Sequence, residues 1–450
     1  MFAAVISMDS KRLHSNMEGN WVNLPGRPFL GRICRVQQSM VMNTSKLDPR
    51  VLEALSKAMD EAGAEILASG HQSEYLPESI LQGSHHRQIK QRKERWADYH
   101  RCVFPGCEKR TRIRSHALQQ SGPLRQIAEN QHVYSAEPNL VDGGPKMKSI
   151  SISRASTFPG FCQRHDELLF SSFEKRKKLT TSSDWVLQTF RTICKEIRVQ
   201  EYGLQTMKSL FDNYHRLRNI EFARRVREKL GATFLEEFDV MLKSSSIEFE
   251  DSYGKYLETT IKRRGADLLR FREKFFEPLL AGDFEWIQGY TIEASFEIPI
   301  CLAGQARFYF GTPEDNESVD VLIHVIPQGN RTALSMASTR EAEMALRAYI
   351  APFSYGNLGL LTMVETWMIH GSDSWYIRPS VWDELPKDRQ GRLLAEMMDL
   401  KHPIGIPCKH SVFDTIRKSH LAGASSATSN FPGIESKLQA EKAKVYDHMV

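Results

Sequence analysis

The feature that most constrains this chain is a set of four soft metal ligands on two short stretches. Cys102 and Cys107 flank VFPG, and after 54 intervening residues Cys162 and His165 follow at i, i+3. Pro105 and Gly106 favour a tight turn, which brings the first two sulfurs together. The second pair opens the stretch CQRHDELLFSSFEK, where a spacing of three puts both side chains on one helix face. Three thiolates and an imidazole suit a tetrahedral structural Zn2+. A cysteine at a helix N-terminus also ionises more easily, as metal ligation requires. The expected geometry is a zinc knuckle, then a loop or hairpin, then a ligand-bearing helix. The other four cysteines, Cys34, Cys194, Cys301 and Cys408, read as unrelated to this set. Cys194 falls in an apolar helical stretch and reads as core.

Groups able to do chemistry lie beside these ligands. His116 follows the knuckle on the strand-like RIRSHAL, Asn130 and His132 sit in QIAENQHVYS, and Asp166 comes directly after His165. On a helix, Asp166 is rotated by about 100° from its neighbour, so it faces away from the zinc. A His and an Asp around a structural zinc, in a basic segment, point to phosphodiester hydrolysis. The carboxylate would hold Mg2+ or Mn2+, and the imidazole would take a proton from the attacking water. The ion would offset charge on the phosphate and the leaving oxygen. Structural roles stay open for both residues. His116 can pack or cap, and Asp166 can serve as a first-turn carboxylate stabilised by the helix dipole. His132 reads as a buried hydrogen-bonding residue.

Taken in order, these residues resemble the treble-clef zinc module of the HNH endonucleases. That family shows a Cys pair, a strand bearing a general-base His, a loop Asn, and a second ligand pair opening a helix with a metal-binding side chain just after it. The stretch SHALQ…LRQIAENQHVY…STFPGFCQRHDELLF is also similar to modules in bacterial proteins, some of them associated with phage defence. The resemblance implies that His116 is the general base and Asp166 the ligand of the catalytic ion. Structural Zn2+ would then sit on Cys102, Cys107, Cys162 and His165. The resemblance covers about residues 95–180. Asp166 stands where a His is commonest, and Ser115 stands where many members carry an acidic ligand. Asn130 and Asn139 both qualify as the loop Asn.

Charge sharpens this reading. The net charge is only +5. Between Arg87 and Arg114, however, ten basic residues face three acidic ones, a local +7 that leaves the remaining chain at −2. The block abuts the zinc ligands and is expected to contact a polyanion, with Arg92, Lys93, Arg95, Lys109, Arg110, Arg112 and Arg114 as its phosphate-binding side chains. A solvated helix face is the plainer alternative. The chain as a whole is not a histone-like basic binder. No apolar run approaches the ~18–20 residues of a membrane span. Seven cysteines, odd in number and sparse in 450 residues, together with an opening MFAAVISMDSKR unlike a signal peptide, fit a reducing cytoplasm.

The periodicity divides the chain further. Residues 1–46 read as weakly structured, with Met40 and Met42 as alternative translation starts, and 47–94 as helical. Residues 95–180 form the zinc module. Residues 184–281 carry helical stripes such as Val186, Phe190, Ile193 and Ile197. From 282 to 418 the period turns to two, with strands expected over 290–299, 306–310 and 319–326 and helices over 339–350, 358–370 and 381–398. Residues 419–450 read as a partly ordered tail. The expected class is α+β: a small treble-clef zinc module, a helical segment, and an α+β C-terminal domain with an antiparallel sheet. The expected function is a metal-dependent nuclease acting on DNA ahead of RNA. A protein partner or a second copy would bind through the helical or C-terminal segment. The competing readings are a non-catalytic zinc module that binds nucleic acid, and an interaction protein stapled by zinc.

Overall fold

The computed structural model describes residues 53, 57–59, 61–62, 64, 101–111, 115–139, 144–230, 252–310, 317–397, 407–426 and 434–445. The N-terminal stretch read as weakly structured, the polar stretch read as helical before Cys102, and Arg92, Lys93, Arg95, Arg112 and Arg114 lie outside these residues. The chain divides into two units, Met1–Trp96 with Val199–Arg270, and Ala97–Arg198 with Phe271–Val450. In the described part of the first unit every residue is helical. Its buried side chains include Met59, Tyr214, Phe222, Val226 and Leu257. Arg225 pairs there with Glu61 at 2.9 Å.

The second unit is built on a seven-stranded sheet. Its strands are β2 (His132–Asn139), β3 (Gly144–Ser151), β5 (Ile287–Ala294), β6 (Ile300–Phe310), β7 (Glu317–Pro327), β8 (Thr332–Thr339) and β9 (Trp375–Ile377), in the order β3-β2-β9-β6-β7-β8-β5. Every pairing is antiparallel. A separate two-stranded ribbon joins β1 (Ser115–His116) to β4 (Thr157–Phe158). The fold is therefore mixed helix and antiparallel sheet. The hairpin β2–β3 comes from the interval between the two ligand pairs, yet Tyr134 pairs with Ile377 on β9. The segments read as zinc module and C-terminal domain thus share one sheet.

The strands at 300–310 and 317–327 contain the two expected there, and β5 ends at Ala294 instead of continuing to 299. Strand β8 was not foreseen. Its sequence, TALSMAST, is buried at every position. A strand covered on both faces loses the polar–apolar alternation that marks a half-exposed one. The core beneath the sheet gathers Phe308, Ile323, Tyr349, Trp367, Trp375 and Trp382. Among the described residues, no helix is long and apolar enough to cross a membrane.

Two helices frame the site. Helix α1 spans Gln163–Arg176 and helix α2 spans Ser182–Leu230. The start of α2 is fixed by a capping box: the Asp184 amide donates to Thr181 Oγ1 at 3.2 Å, and the Thr181 amide donates to Asp184 Oδ2 at 2.9 Å. Burial pushes the Asp184 carboxyl up. The donors at Thr180 and Thr181 outweigh that and hold it below its ordinary range. From Leu187 to Arg198 every residue is buried, including Gln188, Arg191, Thr192, Lys195, Glu196 and Arg198. An apolar stripe predicts one buried face; here the polar face is buried too. It bonds in two directions. Gln188 Nε2 donates to the Ala117 carbonyl at 2.9 Å, and Arg198 Nε to the Pro159 carbonyl at 3.1 Å. On the sheet side, Thr192 Oγ1 meets His324 Nε2 at 2.9 Å and Lys195 Nζ donates to the Ala303 carbonyl at 3.0 Å. The first turns of α2 therefore join the zinc-ligand segment to the sheet through satisfied buried hydrogen bonds.

The helices expected late in the chain form α4 (Glu343–Ile350), α5 (Asn357–Thr366) and α6 (Lys387–Met397), with α3 (Ser252–Phe271) preceding them in the first unit. The helix expected over 381–398 is interrupted at Pro386, which separates the short turn Pro379–Asp383 from α6. Residues read as a tail form the end of α7 (Asp414–Ser426) and all of α8 (Ile434–Lys444).

Candidate metal centre and the adjoining polar cluster

The VFPG turn closes with Cys107 N donating to the Phe104 carbonyl at 3.1 Å. Gly106 adopts φ +71°, a left-handed conformation that costs glycine nothing. The turn is tied to the segment before α1 by Val103 N donating to the Gly160 carbonyl at 2.8 Å. Cys162 stands just outside α1 with extended ψ, and Asp166 N donates to its carbonyl at 3.0 Å. Cys162 and His165 therefore flank the first helical turn, as their spacing requires.

All four ligand atoms lie within 4.8 Å of one another. Cys107 Sγ is 3.8 Å from Cys162 Sγ, and His165 Nδ1 is 3.3 Å from Cys102 Sγ and 3.6 Å from Cys162 Sγ. Two sulfurs on one tetrahedral Zn2+, with bonds of ~2.3 Å, lie ~3.8 Å apart. The donor set fits a metal ion such as zinc. Cys102, Cys162 and His165 are buried, Cys107 is half-buried, and the Phe104 ring lies 4.2 Å from the His165 ring. Burial pushes the Cys102 thiol up to about 12. A bound cation is what makes thiolate the stable form in such surroundings. Of the remaining cysteines, Cys194, Cys301 and Cys408 are buried. Cys408 Sγ donates to the His410 carbonyl at 3.3 Å, so that pair is a local turn contact.

His116 and Asp166 both lie in the second unit, beside this centre. Strand β1 holds His116 opposite Thr157. The Ile152 and Ser153 backbone lies beside the ring, while Nε2 is buried without a hydrogen-bond partner. Asp166 Oδ1 is likewise buried without a hydrogen-bond partner. Between them in the electrostatics stands Arg191 of α2, a residue the sequence reading missed. Its guanidinium is fully buried, lies 4.0 Å over the Phe170 ring, and places Nη2 2.6 Å from Glu174 Oε1 and 3.9 Å from Asp166 Oδ1. Arg191 Nε and Nη1 have no hydrogen-bond partner. Burial first, and the Arg191 charge second, hold the His116 imidazole below its ordinary 6.5. His116 is thus a neutral base at neutral pH. A signal for Arg191 was present: it falls on the helical line Leu187, Arg191, Cys194, where an apolar residue is expected.

The other candidates do not join this cluster. Asn130 is exposed in a tight turn with φ +49°, followed by Gln131 at +62°. His132 is exposed rather than buried, and its Nδ1 sits 2.7 Å from the Asn130 carbonyl. Asn139 ends strand β2. Lys109 and Arg110 are exposed just after the knuckle, free to meet solvent or a ligand.

The loop behind His116 is pinned to the sheet. Ser156, at φ +58°, donates its amide to Tyr376 Oη at 2.6 Å and accepts the Leu118 amide on Oγ at 2.9 Å. Burial pushes the Tyr376 hydroxyl up to about 12, so it stays protonated. Tyr376→Phe should cost about 1–3 kcal/mol, because it leaves the Ser156 amide without its acceptor. Urea unfolding of the variant measures this, and an unchanged midpoint would remove the anchor from the account.

Comparison with known proteins yields no match: no family model fits the chain, and neither a curated protein nor a solved structure matches it.

Proposed function

We propose that this protein is a metal-dependent nuclease that hydrolyses phosphodiester bonds in DNA, with RNA as the alternative substrate, and that residues 95–180 carry its catalytic groups. One observation carries the reading. His116 and Asp166, the two residues singled out for chemistry, are neighbours in the electrostatics, and each keeps a buried polar atom without a hydrogen-bond partner. Native structures seldom leave such atoms unpaired unless a ligand, water or ion completes them.

In this reading the backbone at Ile152 and Ser153 orients the His116 ring, and Nε2 accepts the proton of the attacking water. Asp166 would hold the Mg2+ or Mn2+ ion through its carboxylate. The divalent ion held there supplies charge stabilisation on the phosphate and leaving oxygen. Zn2+ on the four ligands holds the knuckle against α1 and so fixes Asp166. Lys109 and Arg110 meet the phosphate backbone beside the site.

Full-length protein with Mg2+ or Mn2+ is expected to nick supercoiled plasmid. His116→Ala and Asp166→Ala should each lower the rate by about 10²–10⁴-fold while zinc content and melting temperature stay near wild type. If neither substitution changes a measured activity, this site is not the nuclease. Salt-sensitive DNA binding by wild type without cleavage would instead identify a non-catalytic zinc module. The base must be neutral to act, and its folded pKa lies below 6.5. Activity should therefore fall only as pH drops below 6.5, and an acidic limb centred above 7 would exclude His116 as the base.

A further inference from the structure

A second basic run, Lys175–Lys178, has no part in the chemistry described so far. It closes α1, the helix that starts at the zinc ligands and carries Asp166. All four side chains are exposed. The carboxylates nearest in the chain are already taken: Asp184 pairs with Arg176, and Glu174 pairs with Arg191 at 2.6 Å. Lys175, Lys177 and Lys178 therefore stand without an acidic partner among the described residues. Lys177 also holds an unusual backbone. Its φ is +57° at the position that ends the helix, where glycine is favoured because it lacks a Cβ. A lysine kept in that conformation is strained, and strain retained at one residue points to a role for its side chain. Lys177 and Lys178 line a small cleft with Gln119 and Pro123. Arg125, exposed and likewise without an acidic partner, follows Pro123 by two residues. Cations at a helix C-terminus complement the helix dipole, which accounts for Lys175 and leaves the left-handed lysine unexplained.

We infer that Lys175, Lys177, Lys178 and Arg125 form a docking surface for the phosphate backbone of duplex DNA. The surface carries uncompensated positive charge, which a polyanion matches. The apolar residues beside the run, Phe173 and Leu179, are buried, so the surface offers a lipid bilayer nothing to insert. Ammonium groups on flexible stems act as point charges along a backbone and read no bases. The contact is therefore indifferent to sequence. Lys177 lies 11 residues beyond Asp166 on α1, about 16 Å along the helix axis. That length corresponds to about five base pairs of duplex at ~3.4 Å each. A duplex presented to the Asp166 end of α1 thus reaches the lysines as well. The surface adds to Lys109 and Arg110 a second set of phosphate contacts at the other end of the helix. The inference rests on the nuclease reading only for the choice of DNA as the polyanion. The surface itself follows from the unpaired lysines.

The test uses the full-length zinc-loaded protein and a mixed-sequence duplex of about 30 base pairs, without added Mg2+, with binding followed by fluorescence anisotropy from about 50 to 200 mM salt. Wild type should bind with an affinity that falls steeply as salt rises. The triple variant Lys175→Gln, Lys177→Gln and Lys178→Gln should bind about tenfold more weakly, and its log–log salt slope should be shallower by about 2–3, roughly one for each lost phosphate contact. Removing three exposed charges elsewhere in the same unit, with Lys409→Gln, Lys418→Gln and Lys437→Gln, should change binding by less than about twofold. Lys177→Gly separates strain from binding. It relieves the left-handed backbone, so the melting temperature should hold or rise while the salt slope falls by about 1. Should the triple variant lose stability, Lys177→Gly decides. An unchanged slope in the triple variant, an equal loss in the control variant, or no binding by wild type overturns the inference. Tighter binding of the lysines to anionic lipid vesicles or to polyglutamate than to the duplex overturns it as well. The two readings fail separately. Lysine-dependent DNA binding with no nicking when Mg2+ is added keeps the surface and sinks the nuclease. Nicking that depends on His116, with binding and cleavage indifferent to the triple variant, keeps the nuclease and sinks the surface.

Discussion

Cys162→Ser is expected to empty the metal centre and unfold the segment around it. Cys162 does three things at once. Its sulfur lies 3.8 Å from Cys107 Sγ and 3.6 Å from His165 Nδ1, its amide donates to Cys102 Sγ at 3.3 Å, and its carbonyl accepts the Asp166 amide. A hydroxyl is a poor Zn2+ ligand, so three donors would remain. Structural Zn2+ contributes roughly 10–16 kcal/mol in small zinc-dependent modules. Losing even about 4 kcal/mol of that would lower the melting temperature by roughly 8–16 °C in a domain of 150–250 residues. Elemental analysis should find one zinc per wild-type chain and close to none in the variant. Wild type purified without a transition metal, or a variant that keeps it, would remove the metal centre from the account.

The second large effect is expected far from that site, at Arg417. This residue is fully buried, and its guanidinium meets the carboxylates of Glu365 and Glu441, which are buried as well. Arg417 Nε also donates to Ser411 Oγ at 3.1 Å. Glu365 Oε1 in turn accepts the Val412 amide at 2.9 Å and Ser411 Oγ at 2.7 Å. Glu441 Oε1 accepts from Tyr355 Oη and Thr362 Oγ1, both at 2.6 Å. Few apolar side chains hold α8: Val445 and Leu438 pack with Leu358 and Leu421 in a small cluster. Removing the Arg417 cation leaves the buried Glu365 and Glu441 carboxylates with only Lys444, 3.9 Å from Glu441 Oε1, as a buried cation beside them. Breaking one partner of a buried pair costs roughly 3–5 kcal/mol, most of it the stranded charge. Arg417→Met should therefore lose about that much stability in urea unfolding and release α8 to limited proteolysis. Adding Glu365→Gln should recover part of the loss, because it removes one stranded charge. A single variant with wild-type stability would show the network to be dispensable.

The two sites differ in how far the sequence disclosed them. The metal centre was legible because ligand chemistry and spacing act locally. VFPG makes its own turn, and an i, i+3 pair at a helix start needs no distant partner to be recognised. Strands β6 and β7 were legible for the same kind of reason. The role of Arg191 and the existence of β8 were not, because their environment is supplied from elsewhere in the chain. Its place on an apolar helical line marks Arg191 as unusual, but its role is blank until Glu174, Phe170 and Asp166 are placed around it. TALSMAST looks like a loop until β5 and β7 flank it and both faces are covered. Arg417 was read within the α+β domain and Glu441 within a partly ordered tail, and their pairing was not foreseen for the same reason: charge in a sequence implies water until a buried partner is known. His132 failed in the opposite sense, since its neighbours in sequence suggested packing and its place beside a tight turn leaves it exposed.

The tether from Ser156 to Tyr376 has a consequence for the order in which the molecule can be made. The four zinc ligands are all synthesised by residue 165, and the ribbon that carries His116 is complete at residue 158. The loop behind His116, however, takes its anchor from residue 376, and the hairpin beside it finds its sheet neighbour only at Ile377. Chains grow from the N-terminus at about 5–20 residues per second. A ribosome that has just finished the ligand helix therefore needs on the order of ten to forty seconds more before the loop behind His116 can be anchored. On the proposed reading, a growing chain can load its metal early while the groups that would cut nucleic acid stay unassembled until the protein is nearly finished.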